Sequence, residues 1–414
     1  MPLGIRSSFF QEECQRPTAW KIGESAVMSS LKDIRTDVVG SLLRPARWLQ
    51  AREDLENGML APDGFAEIER ACVQALIRMQ EDVGLAVVTD GEISRLNFQD
   101  SFGASVKGFD APAATVREIK FRSEGATPMQ RWDIPNMYGV GPAIQSRRPA
   151  AERLSLGRNL PLEEFARARP IATKPIKVTL VGPDRISQRF AYEASRAIYP
   201  DMDAFLADVV LVQQQMIQQL VDAGCRYVQL DEPGYTAYVD EPSLKLMRDR
   251  GEDPKQNITR SIEANTAIVS SFPDVTFGVH LCRGNQRSMW HREGPYDAIA
   301  ERLFNELPFQ RFLLEYDSPR SGSFEPLRFV PKGKVVVLGL VSTKLAQMET
   351  MDTLRRRIDE AARYIPLGQL AISPQCGFAS DIVGNMLSED DQKRKLELLV
   401  ATAYAVWGAT SGCG

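Results

Sequence analysis

Short apolar runs alternate with longer amphipathic segments from residue 37 almost to the end of the chain. The short runs are apolar at consecutive positions, which is typical of strands buried on both faces. The longer segments repeat apolar positions every three or four residues, as amphipathic helices do. This pattern predicts eight strands, at residues 38–41, 85–92, 176–181, 227–230, 276–282, 312–315, 335–341 and 370–376.

The amphipathic segments between these runs predict helices at residues 62–83, 203–221, 258–271, 296–305, 351–364 and 389–406. A series of strand-then-helix units favours a parallel sheet covered by helices. Eight units favour closure into an α/β fold of the (β/α)8 TIM barrel type, and an open doubly wound sheet is the alternative. In such barrels the chemistry lies at the C-terminal ends of the strands.

The predicted domain organisation is a single catalytic barrel over residues 36–414. Residues 1–35 show little periodicity and are expected to be a poorly ordered N-terminal extension. The segment from about residue 98 to 174, between the second and third strands, is far longer than a usual βα loop. We therefore expect an insertion there, as a hairpin or a helical excursion over the mouth of the barrel.

The composition excludes several classes of protein. With 43% hydrophobic and 25% charged residues, the 414-residue chain has the make-up of a soluble globular protein. A formal charge of −4 indicates neither a nucleic-acid nor an anionic membrane partner. The chain has no apolar stretch of roughly 20 residues and no signal peptide, so a cytoplasmic location is expected. Six cysteines are too few for a disulfide framework. The sequence leaves open whether the protein forms a homo-oligomer.

Three of the predicted strands end in side chains that bind zinc. His280 and Cys282 lie two positions apart, so strand alternation places both on one face. Glu315 ends the next strand, and Cys376 ends the eighth. Imidazole, thiolate and carboxylate are ligands of Zn²⁺, and strand ends converge in a barrel. We therefore predict a zinc site, although buried His and Cys side chains without a metal are the alternative.

These residues resemble those of the cobalamin-independent methionine synthase family, in its catalytic C-terminal barrel. The resemblance extends from about residue 36 to the C-terminus. It rests on Gly40-Ser41, Asp90-Gly91-Glu92, Gly182-Pro183, Asp231-Glu232-Pro233, His280-Leu281-Cys282, Leu314-Glu315 and Pro374-Gln375-Cys376-Gly377. It implies methionine biosynthesis by transfer of a methyl or other alkyl group to a thiol such as homocysteine. The implied nucleophile is the thiolate on a zinc ion held by His280, Cys282, Glu315 and Cys376.

The ligand types agree with sulfur chemistry on physical grounds. A free thiol has a pKa of about 8.5, and only its thiolate is a good nucleophile. Metal coordination removes the thiol proton. Two cysteine thiolates and one carboxylate make the ligand set negative, so the substrate sulfur stays electron-rich. Three neutral histidines suit the activation of water instead. The set therefore favours alkylation of a thiol over hydrolysis.

The resemblance also implies the residues that act on the substrate. Asp231 and Glu92 are implied as catalytic and substrate-binding residues, and Asp231 is expected to bind the substrate ammonium group. Ser41, with backbone groups beside Gly40, is a candidate for binding the substrate carboxylate. The alternative is that Asp231 caps a helix or pairs with an arginine.

Two departures from the family concern the methyl donor. The segment 182–190 has no tryptophan to stack on a pterin, and residues 338–342 include no histidine to protonate a leaving nitrogen. General acid catalysis contributes about 10²–10⁴-fold to the rate, so a donor other than methyltetrahydrofolate is expected, and a corrinoid carrier is one candidate.

Two other enzyme functions remain as alternatives. One is an epoxide-to-thiol alkyltransferase of the same superfamily, whose sulfonated thiol needs a basic pocket. The other is a metal-free barrel like uroporphyrinogen decarboxylase.

Overall fold

Six parallel strands form the main sheet of the protein. The computed structural model describes residues 31, 33–109, 120–121, 130–131 and 148–408. The strand order is β10-β9-β8-β7-β6-β5, and every residue of these strands is buried, as expected for a parallel sheet covered on both faces. The strands are β5 (Lys177–Val181), β6 (Tyr227–Asp231), β7 (Thr276–Leu281), β8 (Arg311–Glu315), β9 (Val335–Val341) and β10 (Leu370–Pro374). They correspond to the third to eighth predicted strands.

Neither of the first two predicted strands is regular: the first gives only a bridge just before it, at Thr36, and the second a single bridge at Val88. Thr36 pairs in parallel with Ile372 of β10, and Val88 pairs in parallel with Ile176, just before β5. The expectation of regular strands at residues 38–41 and 85–92 is corrected accordingly. One cause in the second segment is its backbone, because Gly91 and Glu92 have φ of 80° and 54° and turn the chain away from extended geometry.

The six predicted helices are present, and their ends differ from the prediction by a few residues. Helix α2 begins with proline at its first position, and α11 begins with a capping box formed by Ser388 and Asp391. In the described part of the chain, no helix is both long enough and apolar enough to cross a membrane. The helices are α1 (Ala46–Glu56), α2 (Pro62–Asp82), α3 (Asp100–Gly103), α4 (Leu160–Ala168), α5 (Pro183–Gln188), α6 (Met202–Asp222), α7 (Glu241–Asp249), α8 (Pro254–Val269), α9 (Asp297–Glu306), α10 (Met351–Ala361) and α11 (Glu389–Trp407). Short 3₁₀ helices lie at Glu193–Ser195, Pro233–Tyr238, Pro319–Ser321, Glu325–Phe329 and Leu367–Gln369.

The predicted insertion, residues 98–174, contains two antiparallel strand pairs. Strand β1 (Val106–Phe109) pairs with β4 (Ala150–Leu156), and β2 (Lys120–Phe121) pairs with β3 (Gln130–Arg131). Helices α3 and α4 lie in the same segment, so it holds both hairpin-like and helical structure, and β4 packs on α6. The predicted extension at residues 1–35 falls outside the described residues except for residue 31 and residues 33–35.

A buried ion-pair network around Asp37 joins three strands of the sheet. The Asp37 carboxylate accepts hydrogen bonds from Lys177 Nζ at 2.8 Å, Tyr227 OH at 2.6 Å and Arg311 Nε at 3.2 Å. These three residues begin β5, β6 and β8, so one carboxylate joins strands that are not all neighbours. Burial opposes ionisation of Asp37, but Lys177 and Arg311 outweigh it and hold its pKa below the ordinary value. The network therefore requires β5 and β8 to curve toward a common interior.

We expect Asp37→Asn to lower the free energy of unfolding by about 3–5 kcal/mol, because it leaves Lys177 and Arg311 buried without their counter-charge. Urea denaturation monitored by circular dichroism measures this loss. The exposed Asp359 supplies the matched control, since Asp359→Asn removes the same charge at the surface. A loss below about 1 kcal/mol in Asp37→Asn would contradict the role given to the network.

Candidate metal centre

Three side chains of types that can bind a metal ion meet at the C-terminal edge of the sheet. His280 lies in β7, Cys282 follows that strand, and Cys376 follows β10. Their ligand atoms all lie within 4.8 Å of one another, and His280 Nε2 is 3.6 Å from Cys376 Sγ. All three side chains are buried. This group, which we call the His-Cys-Cys cluster, has the spacing that a metal ion requires.

The chemistry of the cluster fits zinc. The Nδ1 atom of His280 is buried and has no hydrogen-bond partner among the described residues. The hydrogen bond from Cys376, together with the His280 imidazole, holds the pKa of Cys282 well below its ordinary value. The hydrogen bond between Cys376 and Cys282, together with burial, raises the pKa of Cys376 well above its ordinary value. One thiol thus loses its proton easily and the other keeps it, and a divalent cation would favour both thiolates.

Glu315, the fourth predicted ligand, adjoins the cluster but has other partners. Its Oε2 accepts a hydrogen bond from the Arg283 backbone N–H at 2.8 Å, and its Oε1 pairs with Arg320 Nε at 2.6 Å. It is not one of the three residues whose ligand atoms lie within 4.8 Å. Its charge nevertheless acts on His280 and Cys282. The structure therefore brings three predicted ligands together and places the fourth beside them.

A cleft opens at the His-Cys-Cys cluster. It contains about 790 Å³ of space between its walls, part of which is open to solvent. The cluster lines this cleft together with Ser41, Glu92 and Asp231, so three predicted metal ligands and three predicted substrate-binding residues share one cavity. Convergent polar side chains in a concave site are typical of a small-molecule binding site.

Asp231 and Glu92 form an acidic part of the cleft wall. Burial and the charge of Glu92 raise the pKa of Asp231 to about 7. Asp231 Oδ1 accepts a hydrogen bond from Gln229 Nε2 at 2.7 Å, and Glu92 Oε1 accepts one from Thr179 Oγ1 at 2.7 Å. Within the described ranges Asp231 neither caps a helix nor pairs with an arginine. It is therefore not held by an arginine, and an ammonium group bound beside it would favour its ionised form.

Two glycines leave the space that the side chains of Glu92 and Ser41 occupy. A Cβ atom on Gly40 would lie 2.1 Å from Glu92 Oε1, and one on Gly377 would lie 2.0 Å from Ser41 Oγ. Glu92 has a left-handed backbone, which is uncommon for a residue with a side chain and often occurs at functional sites. Gly40 thus acts by leaving space for a carboxylate, and it is not itself part of the cleft lining.

A basic part of the cleft wall was not predicted. Arg185, Arg189, His291 and Arg292 line it, and burial together with the nearby cations lowers the pKa of His291 well below its ordinary value. Lys344 is a further buried cation, and its Nζ donates to Asn285 Oδ1 at 3.2 Å. The signal in the sequence was the position of these residues after the third, fifth and seventh predicted strands, where barrels carry their functional loops.

Comparison with known proteins gives the same assignment as the motifs. The family model described as "Cobalamin-independent synthase, Catalytic domain" matches residues 143–388. The chain belongs to the cobalamin-independent methionine synthase family. Two Bacillus subtilis family relatives, the uncharacterized proteins YxjH and YxjG, are 34% and 35% identical over 378 residues, which is 90% of this chain and 94% of each relative. The methionine synthase of Pyrococcus abyssi is 28% identical over 347 residues, which is 83% of this chain and 86% of that protein.

Solved structures of this family share the fold. A putative vitamin-B12-independent methionine synthase from Listeria monocytogenes has a TM-score of 0.66 and 24% identity, and the match covers 91% of this chain and 98% of that one. A B12-independent methionine synthase from Shewanella, solved in complex with selenomethionine, has a TM-score of 0.64 and 17% identity, and the match covers 90% and 97%.

We expect Gly40→Ala to destabilise the protein by about 1–3 kcal/mol, because the added methyl group cannot coexist with the Glu92 carboxylate in its present place. The control is Gly368→Ala, since nothing lies within 4 Å of a Cβ atom there. Thermal and urea unfolding of the two variants provide the comparison. Equal stability of both variants would show that Glu92 is not held against Gly40.

Proposed function

We propose that the protein is a zinc-dependent thiol S-methyltransferase that forms methionine, or a close analogue, from homocysteine or a similar thiol. The observation that carries the proposal is the position of the His-Cys-Cys cluster in one cleft with Asp231 and Glu92. The methionine synthases among the relatives support the same reaction.

His280, Cys282 and Cys376 would hold the zinc, and Glu315 is the proposed fourth ligand. When bound, the metal lowers the pKa of a coordinating substrate thiol, so that its sulfur is deprotonated at neutral pH. The two cysteines and Glu315 supply negative charge, which favours an electron-rich sulfur over the activation of water. Arg283 holds Glu315 in place through its backbone N–H.

The amino-acid end of the substrate would lie against the acidic wall. Asp231 and Glu92 are proposed to bind the ammonium group, and Ser41 Oγ, with backbone groups beside Gly40, the carboxylate. Asp231 lines the cleft and accepts a hydrogen bond from Gln229, so an ammonium group beside it would stabilise its ionised form. The Shewanella relative was solved with selenomethionine, which carries the same ammonium and carboxylate groups.

Transfer to a sulfonated thiol, as in the epoxide-to-thiol enzymes, is less well supported by the cleft. That substrate needs a basic pocket in place of the Asp231 contact. The cleft has basic residues, yet it also keeps Asp231 and Glu92 at its wall. The acidic wall therefore favours a thiol that carries an ammonium group.

For the methyl donor, a corrinoid carrier stays a candidate, since the sequence has no counterpart of the pterin-stacking tryptophan.

We infer further that the sheet closes into a (β/α)8 barrel over residues 36–414, with residues 98–174 as its insertion. The bridges of Thr36 to β10 and of Val88 beside β5 extend both edges of the sheet. The two segments also contact each other, since Thr89 Oγ1 donates to Gly40 O at 2.6 Å and Leu42 N to Gly91 O at 3.0 Å. These contacts support closure between the first and second segments.

We expect Cys376→Ser to remove zinc binding and the formation of methionine while leaving the fold intact, because the hydroxyl is a much poorer ligand. Wild type should contain about one zinc ion per chain by atomic absorption. Cys72→Ser is the control, since Cys72 is a buried cysteine on α2 that does not line the cleft. Full activity of Cys376→Ser, with its circular dichroism unchanged, would refute the metal centre.

We expect Asp231→Asn to weaken homocysteine binding by about tenfold or more, equivalent to ~1.4 kcal/mol, because the amide cannot neutralise the ammonium group. Isothermal titration calorimetry with the zinc-loaded protein measures the dissociation constant. Asp359→Asn, the same substitution at an exposed residue, serves as the control. If the affinity for homocysteine is unchanged in Asp231→Asn, the substrate is a thiol without that ammonium contact.

A further inference from the structure

Arg185 places an unpaired charge in the cleft. Its side chain is 9% exposed, lines the cleft and has a buried Nε atom without a hydrogen-bond partner. Within the described ranges its guanidinium forms no hydrogen bond or ion pair, while its backbone N–H donates to Glu232 Oε2 at 3.0 Å. A buried charge without a partner is unfavourable, so this position indicates a ligand that supplies the opposite charge.

The nearest buried carboxylates have other partners. Asp184 accepts hydrogen bonds from Tyr238 OH at 2.7 Å and Gln188 Nε2 at 2.8 Å. Glu232 accepts one from Asn265 Nδ2 at 2.7 Å, in addition to the backbone N–H groups of Asp184 and Arg185. Both oxygens of Glu232 are occupied by these donors, and in the described structure the Arg185 guanidinium forms no ion pair with either carboxylate.

Arg292 adds a second cation to the same wall. It is 8% exposed, its Nη1 donates to Pro233 O, and its Nη2 donates to Gln188 Oε1 at 3.1 Å, while its buried Nε has no hydrogen-bond partner in the described structure. Burial and Arg292 lower the pKa of Arg185 to about 9, which leaves Arg185 charged at neutral pH. Guanidinium groups bind planar and tetrahedral oxyanions through paired N–H donors.

The proposed thiol does not need this wall. Homocysteine has one ammonium and one carboxylate, and both are assigned to the residues around Asp231, Glu92 and Ser41. We propose that Arg185, supported by Arg292, binds an oxyanion of the methyl donor, namely a carboxylate, sulfonate or phosphate. This assignment rests on the proposed function, because it takes the thiol to occupy the acidic wall.

Inorganic phosphate is the probe for the first test. Isothermal titration calorimetry is done at constant ionic strength with wild type, Arg185→Gln, Arg185→Lys and the exposed control Arg355→Gln. Wild type and Arg355→Gln should bind one phosphate with equal affinity, Arg185→Lys should keep part of that affinity, and Arg185→Gln should bind at least about tenfold more weakly. Absence of binding to wild type, or equal binding to Arg185→Gln, overturns the proposal.

Thermal unfolding separates a ligand-binding role from a structural one. Because the charge of Arg185 is unpaired, Arg185→Gln should unfold at the same temperature as wild type or at a higher one. A clear decrease in Tm would assign Arg185 to the stability of the fold and overturn the proposal. Phosphate binding and unfolding need neither zinc nor turnover, so both results stand even if methyl transfer from the proposed function fails.

Competition identifies which substrate carries the oxyanion. The phosphate titration is repeated on zinc-loaded protein saturated with homocysteine. Unchanged phosphate affinity supports a separate subsite for the donor. Loss of phosphate binding in the presence of homocysteine assigns the arginines to the thiol substrate and overturns their assignment to the donor.

Discussion

The ion-pair network around Asp37 is the constraint on which the arrangement of the molecule depends. Asp37 lies outside the regular ladders, yet its carboxylate contacts the first residues of β5, β6 and β8. A flat sheet could not bring those strands to one carboxylate. The His-Cys-Cys cluster lies at the opposite, C-terminal ends of the strands. Stability and chemistry thus occupy opposite ends of the same short strands.

The periodicity of the chain predicted most of the fold because the strands from β5 to β10 are buried along their whole length. The residues of the His-Cys-Cys cluster were predictable for a related reason. Each follows an apolar run, and a parallel sheet brings such positions to one edge. His280, Cys282 and Cys376 therefore required only the fold and the chemistry of their side chains.

Other features depend on contacts that the sequence pattern does not contain. The segments near Thr36 and Val88 are apolar like strands, but each forms a single bridge, and the turn at Gly91 and Glu92 is visible only in the backbone. Arg320 binds Glu315 from a 3₁₀ helix five residues later, and nothing in the apolar pattern indicates that contact. Likewise, the sequence pattern does not indicate that Arg185 is buried.

The lining of the cleft comes from separate loops, each following a different strand. Ser41, Glu92 and Asp231 lie on three of them, whereas Arg185 lies on α5, directly after β5. Replacement of the short α5 segment would leave Ser41, Glu92 and Asp231 on their own loops. A fold built in this way allows one reaction partner to be exchanged during evolution while the other is retained, with little rebuilding of the protein between them.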